Sequence, residues 1–76
     1  MAERHGCLLV KLHHGVVGMP DRLLVRPFKR DVFIEFKRRG EKPTKIQAYW
    51  HGRLERMGKI VAVVRTLHGF QEWLTP

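Results

Sequence analysis

Three charged side chains stand out in the stretch from Gly18 to Gln47. Asp21 follows Met19-Pro20 and opens an apolar segment, while Glu35 and Lys37 lie two residues apart in the next one, Val32-Phe33-Ile34-Glu35-Phe36-Lys37. Two carboxylates can grip one hard divalent cation through oxygen. Such a cation neutralises a phosphate and lowers the pKa of a water bound to it. An ammonium beside that water can orient it or stabilise charge as it develops. An acid, an acid and a base at this spacing therefore form a candidate site for phosphodiester hydrolysis. An ordinary strand end carries the same charges, solvated or paired across a hairpin, and the pattern alone leaves both readings open.

The elements that would position these residues follow from periodicity. Cys7 to Leu12, Asp21 to Arg26 and Val32 to Lys37 read as strands, with a Gly- and Pro-containing loop at 13–20 and a turn at Pro27-Phe28-Lys29-Arg30-Asp31. If that turn centres on Lys29, position 21 lies opposite 37 and 23 opposite 35. Glu35 and Lys37 then share a face. Asp21 joins them, directly across from Lys37 at about 5 Å between Cβ atoms and diagonal to Glu35 at about 7–8 Å. Leu23, Val25 and Phe33 make one hairpin face apolar, and Leu24, Ile34 and Phe36 the other. A hairpin apolar on both faces is expected to be covered on both.

Arg38 to Lys42 is a basic loop containing Gly40. Thr44 then has the position of an N-cap, with Gln47 three residues later as the other half of a capping box. Ile46, Tyr49, Trp50, Arg53, Leu54 and Met57 follow at helical spacing, and Gly58 suits the C′ position that ends the helix. Tyr49, Trp50, Leu54 and Met57 are expected in the core because they share one stripe. Gln47 is read either as a cap alone or as a cap that also serves the site. Ile60 to Val64 predicts a buried fourth strand, and Thr66 to Leu74 a short terminal helix. The expected fold is an α/β domain of order β-β-β-α-β-α, a mixed four-stranded sheet with flanking helices.

Seventy-six residues make one domain, 1–76. A chain of this length buries only about 60% of its unfolded surface, so association with a second copy is expected. Trp50, Trp73, Phe70, Phe28 and the fourth strand are the candidates for a two-fold interface. Fifteen Lys and Arg against seven Asp and Glu give a formal charge of +8, which favours polyanionic partners, nucleic acid first. Lys11, Arg22, Arg38, Arg39, Lys42 and Lys45 flank the acidic pair and are the candidate phosphate contacts. No apolar run approaches the ~20 residues of a membrane span. The start lacks the apolar region of a signal peptide, and one cysteine, Cys7, fits a reducing compartment, so the expected location is intracellular. Cys7 reads as a small buried residue at a strand start. His13 and His14 are adjacent, while His5, His51 and His68 are scattered, which gives no zinc spacing.

Pro20-Asp21, a gap of one hairpin, and Glu35-Phe36-Lys37 resemble the motif of the PD-(D/E)xK nuclease superfamily. With Gly18, Gly40, Lys42, Thr44, Gln47, Trp50-His51, Leu54, Gly58 and Val61 to Arg65 in the expected order, nearly the whole chain resembles the virus-type replication-repair nuclease branch, VRR-NUC. The resemblance implies metal-dependent hydrolysis of DNA phosphodiesters, with magnesium as cofactor and manganese as its substitute. It implies Asp21 and Glu35 as metal ligands together with the backbone carbonyl of Phe36, Lys37 beside the nucleophilic water, and Gln47 in support. It further implies branched DNA or four-way junctions as substrate in replication, repair or recombination, cut by a homodimer. The family's longer first helix, with its own glutamate, is missing here; Glu3 is the sole candidate for that carboxylate. The competing class is a non-catalytic basic module that binds nucleic acid on a degenerate nuclease fold.

Overall fold

Apolar β-branched and aromatic runs separated by turn residues give four strands. The computed structural model describes residues 2–13 and 15–75. Strands β1 (Leu8–Lys11), β2 (Arg22–Val25) and β3 (Val32–Phe36) precede helix α1 (Lys45–Arg56), followed by strand β4 (Ile60–Val64) and helix α2 (Leu67–Leu74); a 3₁₀ turn, Ala2–His5, comes first. The sheet order is β1-β2-β3-β4, with β1, β2 and β3 antiparallel in turn and β4 parallel to β3. The order β-β-β-α-β-α is the expected one. Parallel pairing of β3 and β4 requires a crossover, which α1 supplies. The helix boundaries have local causes. Thr44 and Gln47 close the capping box, Thr66 caps α2 by accepting from the Gly69 N–H, and Gly58 follows α1 with φ +81°.

One sheet face carries Leu24, Val32, Ile34, Ala62 and Val64, sealed by Phe70 and Leu74 of α2 and by Cys7. Leu24, Val32 and Ile34 are fully buried. Cys7 fills the place expected of it: its thiol lies 3.9 Å from the carbonyls of His5 and Leu74, joining the chain start to the end of α2. The other face, bearing Glu35, is covered by α1 through His51 and Leu54. Both faces are thus covered, but the stripe of α1 differs from expectation. Tyr49 and Met57 are exposed and Trp50 is half-buried, while His51 and Leu54 are the buried pair. A four-stranded sheet offers α1 only a narrow contact, and the helix turns its Gln47–His51–Leu54 side inward. Phe70 and, on β4, Ala62 and Val64 pack in the core, while β4 itself forms an edge of the sheet.

The hairpin register also differs. Arg22 pairs with Ile34, Leu23 with Phe33 and Leu24 with Val32, so the turn centres on Phe28 rather than Lys29. Pro27 has no N–H to extend the ladder. Phe28 takes a left-handed φ of 57° and is fully exposed. The cations around it hold helix ends. Arg26 donates to the Arg30 and Trp73 carbonyls and stacks on the Trp73 ring, Lys29 donates to Thr75, and Arg30 to Gly58. Cations at the C-termini of α1 and α2 oppose the negative ends of the helix dipoles.

Candidate active site

Asp21 sits one residue before β2, and its carbonyl accepts the Leu12 N–H at 2.8 Å, continuing the β1–β2 ladder. Extending the β2–β3 register by one residue puts position 21 opposite 35. The sequence-based pairing is corrected accordingly: Asp21 lies directly across from Glu35 and diagonal to Lys37. Directly opposed Cβ atoms stand about 5 Å apart, closer than the diagonal first expected. The two carboxylates meet different surroundings. Asp21 is exposed, with Oδ2 3.0 Å from Arg22 Nη1. The Glu35 side chain is 14% exposed, and its Oε1 lies 3.7 Å from Nε2 of the buried His51. Among the described residues no three of His, Cys, Asp and Glu form a group able to hold a metal ion. Glu3, exposed in the 3₁₀ turn, therefore does not join Asp21 and Glu35 in such a group.

The two residues after Glu35 are fixed by the sheet. The Lys37 N–H donates to the Val64 carbonyl at 3.0 Å, carrying the parallel ladder one residue past β3. Lys37 is half-buried and, by alternation, shares the face of Glu35. The Phe36 carbonyl then faces the β2 side, where the extended register puts Pro20, a residue with no N–H to claim it. Oxygen donors at 21, 35 and 36 suit a hard cation that keeps several of its waters and needs only one or two carboxylates.

Helix α1 lies over the sheet face that carries Glu35, and its start is fixed by the capping box. Gln47 Oε1 accepts the Thr44 N–H at 2.9 Å and the Gln47 N–H reaches Thr44 Oγ1 at 3.2 Å, so the cap uses the side-chain oxygen and leaves the amide N–H donors for other work. His51 lies one turn further along the same face. Gly18 holds this end of the helix against the loop before Asp21. Its φ is +91°, and a Cβ there would stand 2.9 Å from Ile46 Cγ1 and 3.0 Å from the Ile46 carbonyl carbon and oxygen.

The candidate phosphate contacts gather at this same end of the sheet. Lys11 pairs with Arg22 across β1 and β2, Arg38, Arg39 and Lys42 lie exposed in the loop after β3, and Lys45 opens α1. His13 is exposed, and His14 lies outside the described residues. Sequence reasoning missed Arg65. The pairing of Phe36 with Val64 brings it beside Lys37, where its guanidinium donates to the Glu41 carbonyl at 2.9 Å. Lys37, Arg38 and Arg65 line an open cleft of about 510 Å³ with Phe36 and Phe70. Glu41 also lines it; its carboxylate is held below the usual range, first by the Arg38 N–H and then by the charges of Lys37, Arg38 and Arg65. His51 was missed as well. It stands among the residues that carry the resemblance, but with no role assigned; the four-residue step from Gln47 is the signal that sets it on the same helix face.

No family model matches the chain. Fifty residues align at 45% identity with "Putative nuclease p44" of Acyrthosiphon pisum secondary endosymbiont phage 1, over 66% of this chain and 54% of that protein. The chain thus spans about half the length of the curated relative it matches. A solved structure titled "VRR_NUC domain" superposes with a TM-score of 0.84 at 31% identity, over 96% of this chain and 81% of the other.

Proposed function

This chain belongs to the VRR-NUC domain family, and from that membership we propose that it is a metal-dependent endonuclease that hydrolyses DNA phosphodiester bonds. The observation that carries the proposal is the β2–β3 register, with Arg22 opposite Ile34; continued by one residue it would set Asp21 across from Glu35 at the open end of the hairpin, with Lys37 on the same face by alternation. Asp21, Glu35 and the Phe36 carbonyl would hold the cation, magnesium or, in its place, manganese, both of which take oxygen donors. When bound, it would neutralise the phosphate and acidify a water. Asp21 would first leave Arg22, which is then available to the DNA backbone. The Lys37 ammonium would hold the attacking water and offset charge as it grows on the phosphate oxygens. The Gln47 amide N–H groups would steady the same oxygens from the start of α1. Lys11, Arg22, Arg38, Arg39, Lys42 and Lys45 would grip backbone phosphates without reading bases.

The preferred substrate in this proposal is branched DNA, such as a four-way junction, in replication, repair or recombination. The acting form is a homodimer, whose two-fold axis relates two sites to two strands. Exposed apolar residues support the dimer: Leu8, Leu9 and Val10 on the edge strand β1, and Ile46, Tyr49 and Met57 on α1. Among the described residues no helix is long and apolar enough to cross a membrane. An intracellular location belongs to the same proposal.

The test is cleavage of labelled duplexes, flaps and junctions by the wild-type chain, Asp21→Ala and Glu35→Ala. Magnesium and manganese should support cutting, calcium should bind without turnover, and either substitution should abolish cutting while DNA binding persists. Cutting in chelator, or by either variant at full rate, would refute the metal site. Binding without cutting under every metal would point to the non-catalytic module instead.

A further inference from the structure

His51 has no role in the site as the motif defines it. It occupies a helix position facing the sheet, between Gln47 one turn before and Leu54 three residues after. Only 8% of the residue is exposed, and its Nε2 is sealed from solvent without a hydrogen bond among the described residues. Burying an unsatisfied nitrogen is costly, and a leucine would fill the same place without that cost. What Nε2 faces is Oε1 of Glu35, 3.7 Å away and itself largely buried. The separation is slightly beyond a hydrogen bond and closes with a small rotation about either side chain.

Resting on the proposed metal site, we infer that His51 positions Glu35. With the proton on Nε2, the imidazole donates to Oε1 and fixes one rotamer of the carboxylate, which would leave Oε2 as the oxygen available to hold the cation. Carboxylates that bind metals are themselves held by hydrogen bonds, and losing such a partner typically costs 10–100-fold in metal affinity or activity. A neutral imidazole suffices for this, because donation needs the Nε2 proton and not a charge. The arrangement also explains the contrast within the pair. The Asp21 carboxylate is exposed and, among the described residues, paired with its neighbour Arg22, whereas Glu35 is walled in by α1. Glu35 is thus the preorganised ligand, and α1 sets its geometry through one side chain.

The test compares His51→Leu, which fills the volume without a donor, with His51→Gln, which restores a donor at similar reach. Calcium binding by calorimetry is read without DNA, so the result does not depend on turnover. The expected result is an affinity 10–100-fold weaker for His51→Leu, substantial recovery in His51→Gln, and a melting temperature for His51→Leu no lower than that of the wild type. A purely structural histidine would give the reverse, a lower melting temperature with unchanged calcium affinity, and that outcome overturns the inference. A second measurement covers failure of either variant to fold. In the long-range ¹⁵N–¹H spectrum of the wild-type chain, His51 Nε2 should be the protonated nitrogen and should shift when calcium is added. An unprotonated Nε2 overturns the inference. Wild-type protein that binds no calcium would instead overturn the metal-site reading, and the role of His51 with it.

Discussion

Gly18→Ala tests how the loop before Asp21 and the start of α1 are held together. The new Cβ would meet Ile46 Cγ1 at 2.9 Å and two Ile46 backbone atoms at 3.0 Å. Carbon atoms rest at about 3.5–4.0 Å, so loop and helix must separate by about 0.5–1 Å. Forcing an L-residue to φ +91° adds about 1–2 kcal/mol. Gly40 separates the two effects, since its φ is +78° but nothing lies within 4 Å of the Cβ position. Gly40→Ala should therefore cost about 1–2 kcal/mol, from conformation alone. Gly18→Ala should cost about 2–5 kcal/mol once overpacking of about 1–3 kcal/mol is added. At about 4–8 °C per kcal/mol for a domain of this size, Gly18→Ala should melt at least 8 °C below the wild type (roughly, from the lower bounds). Urea unfolding followed by circular dichroism gives the stability difference directly. Because Ile46 precedes Gln47, a shift of about 1 Å should also cost about 10²-fold in kcat. A Gly18→Ala chain as stable as Gly40→Ala would refute the close approach, and one that is destabilised yet cuts at the wild-type rate would refute its bearing on the site.

Three further outcomes follow from the same geometry. Lys37→Ala should lower kcat by about 10²–10³ and leave calcium affinity nearly unchanged; wild-type turnover would make this lysine an ordinary strand-end charge. DNA affinity should fall steeply with salt and show little sequence preference, and Arg65→Gln should reduce the slope of log K against log salt by about 1, measured by fluorescence anisotropy; an unchanged slope would remove Arg65 from the DNA contact. Light scattering at micromolar concentration should give twice the 9.0 kDa chain mass, and Tyr49→Glu with Met57→Glu should halve it; a wild-type monomer that cuts junctions in symmetric pairs would end the dimer argument while leaving the metal site intact.

Local signals carried most of the fold. Thr44 with Gln47, Gly58, and the apolar run at Ile60–Val64 each act within a few residues, and each element appears where those residues put it. The hairpin was legible only in part, for a geometric reason. Alternation fixes which face a residue takes, but moving the turn centre by one residue changes the pairing by two and leaves every face intact. Asp21, Glu35 and Lys37 therefore stay on one side while Asp21 changes partner from Lys37 to Glu35. Arg65 was hidden because its neighbourhood with Lys37 depends on parallel pairing between strands separated by a whole helix. The stripe of α1 misled because spacing counts apolar residues without weighing the site. His51 and Leu54 turn inward, His51 toward the Glu35 carboxylate, and Tyr49 and Met57 are left outside.

Charge separates in the same way, by place rather than by amount. The formal charge of +8 does not distinguish a cation that holds the protein from one that meets a polyanion. At the hairpin tip Arg26, Lys29 and Arg30 are bonded to carbonyls at or beyond the ends of α1 and α2, so their charge is engaged in the fold. At the opposite end of β2 and β3 the side chains of Arg39, Lys42 and Lys45 make no hydrogen bond among the described residues, and they lie in the loop after β3 and at the start of α1, the end of the sheet where Asp21 opens β2. A basic composition thus resolves into a structural set and a set left open to a ligand. The two are separated by the length of the hairpin that carries Asp21 and Glu35. That polarity favours a phosphate-bearing substrate at the carboxylate end, where a bound cation would let two acids and the DNA backbone share one small surface.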